Sequence, residues 1–166
     1  MTKVSILGAT GYAGAELVKL ILQHPNATLT HITSESHTGQ ALADVYPHMR
    51  GITDLTLESM DNLETIAKDS DFIFIALPHG HAMTVGKALA KTPVKIIDLG
   101  ADYRFSDTKV YEAWYHVPHT HPDAPERLWL SRTKPRSHQI RQNHRQCRLL
   151  HNGFHSGVGS FSKKFI

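Results

Sequence analysis

The 166-residue sequence has one cysteine, Cys147. A lone thiol excludes an intrachain disulfide framework and a multi-cysteine metal centre. No apolar run approaches the roughly 20 residues of a membrane span, and no basic leader with an apolar signal segment precedes the first strand. The expectation is a soluble protein of the cytoplasm with no membrane partner. Acidic residues are nearly missing from the end of the chain. Residues 124–166 hold nine Lys/Arg against one Asp/Glu, a balance of +8, whereas residues 1–123 hold nine against fourteen, a balance of −5. A basic tail of this kind is one way to hold nucleic acid, and composition alone leaves that alternative open. The length allows one domain with a proper core and is short for a two-domain enzyme.

What is present is an alternation of strand and helix signals. Val4–Leu7 reads as a buried strand, and Tyr12–Gln23 as a helix with Leu17, Leu20 and Ile21 towards a sheet, stopped before Pro25. Ala27–Thr33 reads as a second strand and Ile52–Leu57 as another. Ser59 or Asp61 starts a helix containing Leu63, Ile66 and Ala67. Phe72–Leu77 is the most hydrophobic segment, as expected of a central parallel strand covered on both faces. Gly80–Lys91 then reads as a helix and Val94–Leu99 as a strand. The predicted fold is α/β, a Rossmann-like open parallel sheet with its first strand near the middle, carried by residues 1–123. Beyond Gly100 the periodicity fades. Pro118, Pro122 and Pro125 break any long element, and Arg127–Arg148 has six arginines with no sustained amphipathic pattern.

Between the first strand and helix lies Gly8-Ala9-Thr10-Gly11-Tyr12-Ala13-Gly14. The spacing Gly8-x-x-Gly11-x-x-Gly14 differs from the common GxGxxG, but the physical demand is similar: a tight turn, close approach of backbone to a pyrophosphate, and close helix–strand packing. A turn with no ligand is the plainer alternative. The strand directly before the loop favours dinucleotide binding, with Gly8, Thr10, Gly11, Tyr12, Ala13 and Gly14 as the cofactor loop. About 20 residues further on, an NAD-preferring site commonly places an acid on the ribose 2′-hydroxyl. Here the chain reads Thr33-Ser34-Glu35-Ser36-His37. Ser34 and Ser36 can hydrogen-bond a 2′-phosphate and His37 can add positive charge, whereas Glu35 would repel it if turned inward. The expected cofactor is NADP(H); the alternative is a polar loop with no specific ribose contact.

Leu77-Pro78-His79-Gly80-His81 leaves the central strand at the edge where this architecture binds ligands, so Pro78 and Gly80 are expected to border the cofactor's redox end. His79 reads more simply as a loop histidine bonded to backbone than as an acid or base, and His81 as a cap of the following helix. In Asp98-Leu99-Gly100-Ala101-Asp102-Tyr103-Arg104-Phe105, the planar fork of Arg104 suits a phosphate or carboxylate, oriented by Asp98 or Asp102. A structural ion pair is the alternative. His116, His119 and His121 look like a metal trio, but they stand among prolines without cysteine or a persuasive carboxylate ligand, so no metal is expected.

Together GATGYAG (8–14), LPHG (77–80) and LGADYRF (99–105) resemble the N-terminal part of the N-acetyl-gamma-glutamyl-phosphate reductase family, related in fold to aspartate-semialdehyde dehydrogenase. YEAWYHVPHTHPD (111–123) is similar to that family's stretch before its catalytic region. The resemblance covers about the first 123 residues. It implies an NADPH-dependent reductase of arginine biosynthesis, homo-oligomeric when whole, that converts N-acetyl-gamma-glutamyl phosphate to N-acetylglutamate semialdehyde and phosphate. It also implies a cysteine thiolate that takes the acyl group from phosphate, hydride transfer to the thioester, and a histidine of the catalytic domain for proton transfer. By the same resemblance Gly8, Gly11, Gly14 and Ser34 match the cofactor side, and Arg104 lies near the substrate-binding region.

The family's cysteine belongs in an Asn-x-Gly-Cys-Tyr-x-Thr segment. Cys147 instead stands in Arg145-Gln146-Cys147-Arg148-Leu149-Leu150. Arg145 and Arg148 would activate its thiol, but an incidental cysteine is the plainer reading. Codons permitted for Arg145–Gly153, read one nucleotide later, spell Ala-Asn-Ala-Gly-Cys-Tyr-Thr-Thr. In the same shifted frame, codons for Leu128–Pro135 spell Tyr-Gly-Phe-Pro-Glu-Leu-Asn, resembling the family's Tyr-Gly-x-Pro-Glu-Leu. Those for Gly153–Phe161 can yield Ala-Ser-Ile-Leu-Ala-Leu-Ala-Pro, an apolar helical continuation. Three ordered matches point to a frameshift between about Asp123 and Leu128. Residues 124–166 are then expected to be a basic, poorly ordered tail, and the chain an inactive piece of the two-domain family with no catalytic residue in this frame. The alternatives are a non-catalytic NADP-binding or redox-sensing module and, further from expectation, a nucleic-acid-binding protein acting through the tail.

Overall fold

A computed structural model of the chain describes residues 1–105, 107–121 and 128–130. In chain order the elements are β1 (Thr2–Leu7), α1 (Tyr12–Leu22), β2 (Ala27–Thr33), the single turn α2 (Leu42–Val45), β3 (Leu57–Glu58), α3 (Leu63–Lys68), β4 (Phe72–Ile75), α4 (His81–Leu89), β5 (Lys95–Asp98), α5 (Thr108–Tyr115) and β6 (Leu128–Leu130). The strands form one sheet in the order β3-β2-β1-β4-β5-β6, and every neighbouring pair is parallel. This is the doubly wound order, in which the chain moves outward from β1 first through β2 and β3, then through β4, β5 and β6.

The period-two alternation of side chains divides the sheet's residues between two cores. Val4, Ile6, Leu29, Ile32, Phe74 and Ile97 pack with Leu17, Val18 and Ile21 of α1 on one face. Leu7, Ile73, Ile75 and Ile96 pack on the other with Ile66 of α3, with Met83, Val85 and Leu89 of α4, and with Tyr103 and Tyr111. The central strands β1 and β4 are thus covered on both sides, which is why their sequences read as near-continuous apolar runs. Ser5 breaks the run in β1. It is buried, and its hydroxyl pairs with Thr30 Oγ1 at 3.0 Å and Ser70 Oγ at 2.6 Å. Among the described residues no helix is long and apolar enough to cross a membrane.

Several sequence expectations change here. The inward stripe of α1 is Gly14, Leu17, Val18 and Ile21, at i, i+3, i+4 and i+7; Leu20 lies off that stripe and is half-buried. The strand expected over Ile52–Leu57 shrinks to Leu57–Glu58, because the start of the run is used in a turn. The amides of Ile52 and Thr53 both donate to Met49 O, and Ile52 is 60% exposed. Only Leu57 and Glu58 reach the parallel register with Ile32 and Thr33. Helix α5 has no counterpart in the sequence expectations. Asp107 caps it by accepting from Lys109 N–H at 2.9 Å, and its i, i+4 pair Tyr111 and Tyr115 stack with ring centroids 5.0 Å apart. Within the expected tail, Leu128, Trp129 and Leu130 form β6 and pair with Ile96, Ile97 and Asp98. Residues 131–166, which include Arg145, Cys147 and Arg148, lie outside the described residues.

Candidate functional site

The glycine loop sits at the C-terminal ends of the strands, between β1 and β4, where the chain's winding reverses. Gly8 has φ +86°, and a Cβ there would stand 2.6 Å from Ala76 O, just beyond the end of β4. Both constraints demand glycine. At Gly14 a Cβ would overlap the Gly8 carbonyl and crowd Ala9 Cα, so this glycine lets α1 press against its own loop. Gly11 is different. Its backbone is extended (φ −77°, ψ 163°), and a Cβ would meet only Gly8 O at 3.5 Å and Ala76 O at 3.7 Å, ordinary contacts. The chain's own packing does not require glycine at this N-cap of α1.

The bare cap leaves the start of α1 open. Among the described residues no side chain caps this helix, and its first turn holds no acidic residue. The first amides of a helix have no partner within it and carry the positive end of its dipole. Those of Tyr12, Ala13 and Gly14 can therefore take a phosphate, and the absent side chain at Gly11 keeps the approach clear. The sequence-predicted loop residues Gly8, Thr10, Gly11, Tyr12, Ala13 and Gly14 are brought together in this one turn, and they fit a pyrophosphate.

The loop is fastened to the end of β2. The amides of Gly8 and Ala9 donate to Thr33 O at 3.2 and 2.9 Å. Thr10 Oγ1 and Ser34 Oγ are 2.7 Å apart, and Ser34 Oγ lies 3.5 Å from Ser36 Oγ. Ser34 is buried, while Ser36 and Glu35 are exposed beside it. His37 pairs through Nδ1 with Gln40 Oε1 at 3.4 Å. Tyr46, absent from the sequence expectations, donates from its hydroxyl to Thr10 O at 2.7 Å and closes the loop from the side. It closes the single turn α2, which the sequence expectations do not include, so only the contact across 36 residues reveals it.

At the end of β4 the chain turns through Leu77–Gly80. Gly80 has φ +89° and is the N-cap of α4. Its amide donates to both oxygens of Asp102, at 3.0 and 2.9 Å, so Gly80 shapes the turn without offering a free amide. His79 is exposed, with its ring 4.6 Å from that of Tyr115. His81 does not cap α4: it is the first helical residue, and the helix end is covered by Asp102.

Asp98 and Arg104 meet differently from expectation. Arg104 donates through Nε to Gly100 O at 2.6 Å and through Nη2 to Leu99 O at 3.0 Å, so backbone carbonyls anchor its fork. Asp102 faces α4 instead. Asp98 is fully buried; Oδ1 accepts from Gly100 N–H at 2.8 Å, and Oδ2 has no hydrogen-bond partner among the described residues. Burial pushes its carboxyl from 3.8 up to about 6; the Gly100 amide and Arg104 oppose the rise, and Asp102 adds to it. The three histidines are put to separate uses. His116 is exposed and ends α5 at φ 55°, His119 donates from Nε2 to Asp102 O at 2.6 Å, and the ring of His121 lies 6.4 Å from that of Tyr103. Among the described residues no three metal-ligating side chains stand together.

With this geometry in place, similarity to known proteins is informative. A family model described as semialdehyde dehydrogenase, NAD binding domain, matches residues 3–127. The chain is 52% identical over 118 residues to N-acetyl-gamma-glutamyl-phosphate reductase of Pelotomaculum thermopropionicum, covering 71% of this chain and 34% of that protein. It is 50% identical over 123 residues to the enzyme of the same name from Syntrophobacter fumaroxidans, covering 74% and 35%. The chain thus spans about a third of the length of these curated relatives. Aspartate semialdehyde dehydrogenase with NADP from Candida albicans shares the fold, with a TM-score of 0.56 at 16% identity over 78% of this chain and 42% of that one.

Proposed function

Because this chain belongs to the semialdehyde dehydrogenase NAD-binding domain family, we propose that residues 1–123 are the NADP(H)-binding part of an acyl-phosphate reductase. The reaction is reduction of N-acetyl-gamma-glutamyl phosphate to N-acetylglutamate semialdehyde and phosphate in arginine biosynthesis, in a cytoplasmic enzyme that is homo-oligomeric when whole. The observation that carries this reading is the uncapped N-terminus of α1 behind a bare Gly11, joined to the Thr10–Ser34 hydroxyl pair.

The amides of Tyr12, Ala13 and Gly14 hold the pyrophosphate, Gly11 keeps their approach clear while its own amide donates to Gly8 O at 3.2 Å, and Gly8 gives the turn that presents them. Thr10, Ser34 and Ser36 receive the 2′-phosphate through hydroxyls that can donate. Pro78 and Gly80 border the nicotinamide end. Arg104, tied by its Nε and Nη2 to backbone, sets a positive charge near the acyl phosphate. The bound cofactor supplies hydride, and the chain's described residues bind and orient it. Residues 124–166 are translated in a shifted frame, so the family's cysteine segment is encoded but not expressed in this chain. The matches to whole relatives extend over only 118 and 123 residues, about a third of those proteins, which supports that account.

Calorimetric titration of the 166-residue chain at equal ionic strength should find NADP bound about tenfold or more tightly than NAD, as expected of hydrogen bonds to a charged phosphate. The preference should shrink in Ser34→Ala. Equal affinities, or a preference for NAD, would remove the basis for placing the 2′-phosphate on Ser34.

A further inference from the structure

Two helices, α1 and α4, begin at the ligand-binding edge of the sheet, each from a glycine N-cap that supplies no side-chain cap. Their first turns are treated in opposite ways. The end of α1 is left bare, whereas the end of α4 is covered by the carboxylate of Asp102, which is 1% exposed. Asp102 accepts from Gly80 N–H at 3.0 Å (Oδ1) and 2.9 Å (Oδ2), and from Ala82 N–H at 3.1 Å (Oδ2). Tyr111 donates its hydroxyl to Oδ1 at 2.9 Å, and His119 Nε2 donates to the Asp102 main-chain oxygen at 2.6 Å. Burial, with Asp102 alongside, pushes the Tyr111 hydroxyl well above the usual phenol range, so it remains a donor. One residue therefore ties the Pro78–Gly80 turn to α4, α5 and the loop after α5.

We propose that Asp102 is a positioning residue of the dinucleotide site. It holds the Pro78–Gly80 turn in place for the nicotinamide half, and it fills the anion-attracting end of α4 so that the bare end of α1 faces the crevice. The inference rests on the cofactor reading above. With the pyrophosphate at β1 and the adenosine ribose over β2, the other half of the dinucleotide runs towards β4. Gly8 lies so close to Ala76, two residues before Pro78, that a Cβ on it would stand 2.6 Å from Ala76 O. Fixing the turn should thus affect only one half of the ligand.

The test compares NADPH with adenosine 2′,5′-bisphosphate, which carries the adenine half alone, on the full chain and on Asp102→Asn and Tyr111→Phe. The amide put in by Asp102→Asn keeps one carbonyl acceptor but loses the charge and the second acceptor. That variant should weaken NADPH about tenfold, by loss of a charged hydrogen-bond acceptor, and reduce the fluorescence gain of bound NADPH, leaving the bisphosphate affinity unchanged. Tyr111→Phe should act in the same direction and less strongly. Equal loss of both ligands, or of neither, overturns the positioning role while leaving the cofactor site intact. Failure of the unmodified chain to bind either ligand overturns the cofactor reading itself. If Asp102→Asn does not fold, hydrogen exchange at Gly80 and Ala82 decides: faster exchange in Tyr111→Phe supports the network, and unchanged exchange overturns it.

Discussion

The two halves of the sheet's ligand-binding edge handle their polar groups in contrasting ways. At β1 and β2 the helix-end amides of α1 meet no side-chain cap, and hydroxyls of Thr10, Ser34 and Ser36 gather beside them near the surface. At β4 and β5 the same kind of helix end is consumed within the chain by Asp102, and Arg104 is anchored on the carbonyls of Leu99 and Gly100. Donors left unused by a fold are available to a ligand, while donors satisfied internally hold shape. On the proposed reading, the first half binds the dinucleotide and the second positions it.

Binding and positioning are not chemistry, and the largest expected effect comes from that gap. The 166-residue chain should show no measurable NADPH-dependent reduction of N-acetyl-gamma-glutamyl phosphate, since acyl transfer needs a nucleophile that these two halves do not supply. The assay runs in reverse, as phosphate-dependent NADP reduction with N-acetylglutamate semialdehyde. Restoring the shifted frame and its natural continuation should recover activity, and changing the restored cysteine to serine should abolish most of it. Resequencing the coding DNA from codon 121 through codon 153 checks the premise: no Asn-x-Gly-Cys-Tyr segment in either other frame would refute the frameshift.

The glycines separate folding from binding within the first half. Gly14→Ala drives a methyl into the Gly8 carbonyl and should cost about 3 kcal/mol or more of stability, because backbone cannot step aside as a side chain can. Gly11→Ala should leave the melting temperature nearly unchanged and still weaken NADP, since its methyl meets only ordinary contacts within the protein. Matching losses of stability in the two variants would collapse the distinction.

On the second half, Asp98 gives a smaller, pH-dependent signal. In the folded chain its carboxyl holds a proton up to about pH 6, against 3.8 in the unfolded chain. The folded state binds more protons between those values, so this group's contribution to stability falls as pH rises from about 4 to 6 and stays low above. The full change is roughly 3 kcal/mol. Denaturant titrations across this window should show the decline, and Asp98→Asn should flatten it. An unchanged profile in the variant would assign the decline to other groups.

These contrasts also explain what could be read from residue order. β1, β2, β4, β5 and the glycine loop were legible because buried parallel strands are apolar runs and the loop must turn and pack within seven residues. The placing of Ser34 beside the loop was legible from its distance along the chain. Asp102 stood out in the sequence but with the wrong partner: its amides at Gly80 and Ala82 lie 22 and 20 residues back along the chain, and no periodicity links them. Tyr46 and the α5 tyrosines escaped for the same reason. Ile52 misled because an apolar residue beside a β-branched run looks like strand, while here the turn from Met49 uses its amide.

The most direct test of the contrast is an NMR titration of the isotope-labelled chain with NADP, observing assigned backbone amides. Saturable shifts are expected at Gly11–Gly14, Ser34 and Ser36, with small changes at Asp98 and Gly100 on the β5 side. Shifts concentrated at Asp98–Arg104 with none in the glycine loop would contradict the division into a binding half and a positioning half.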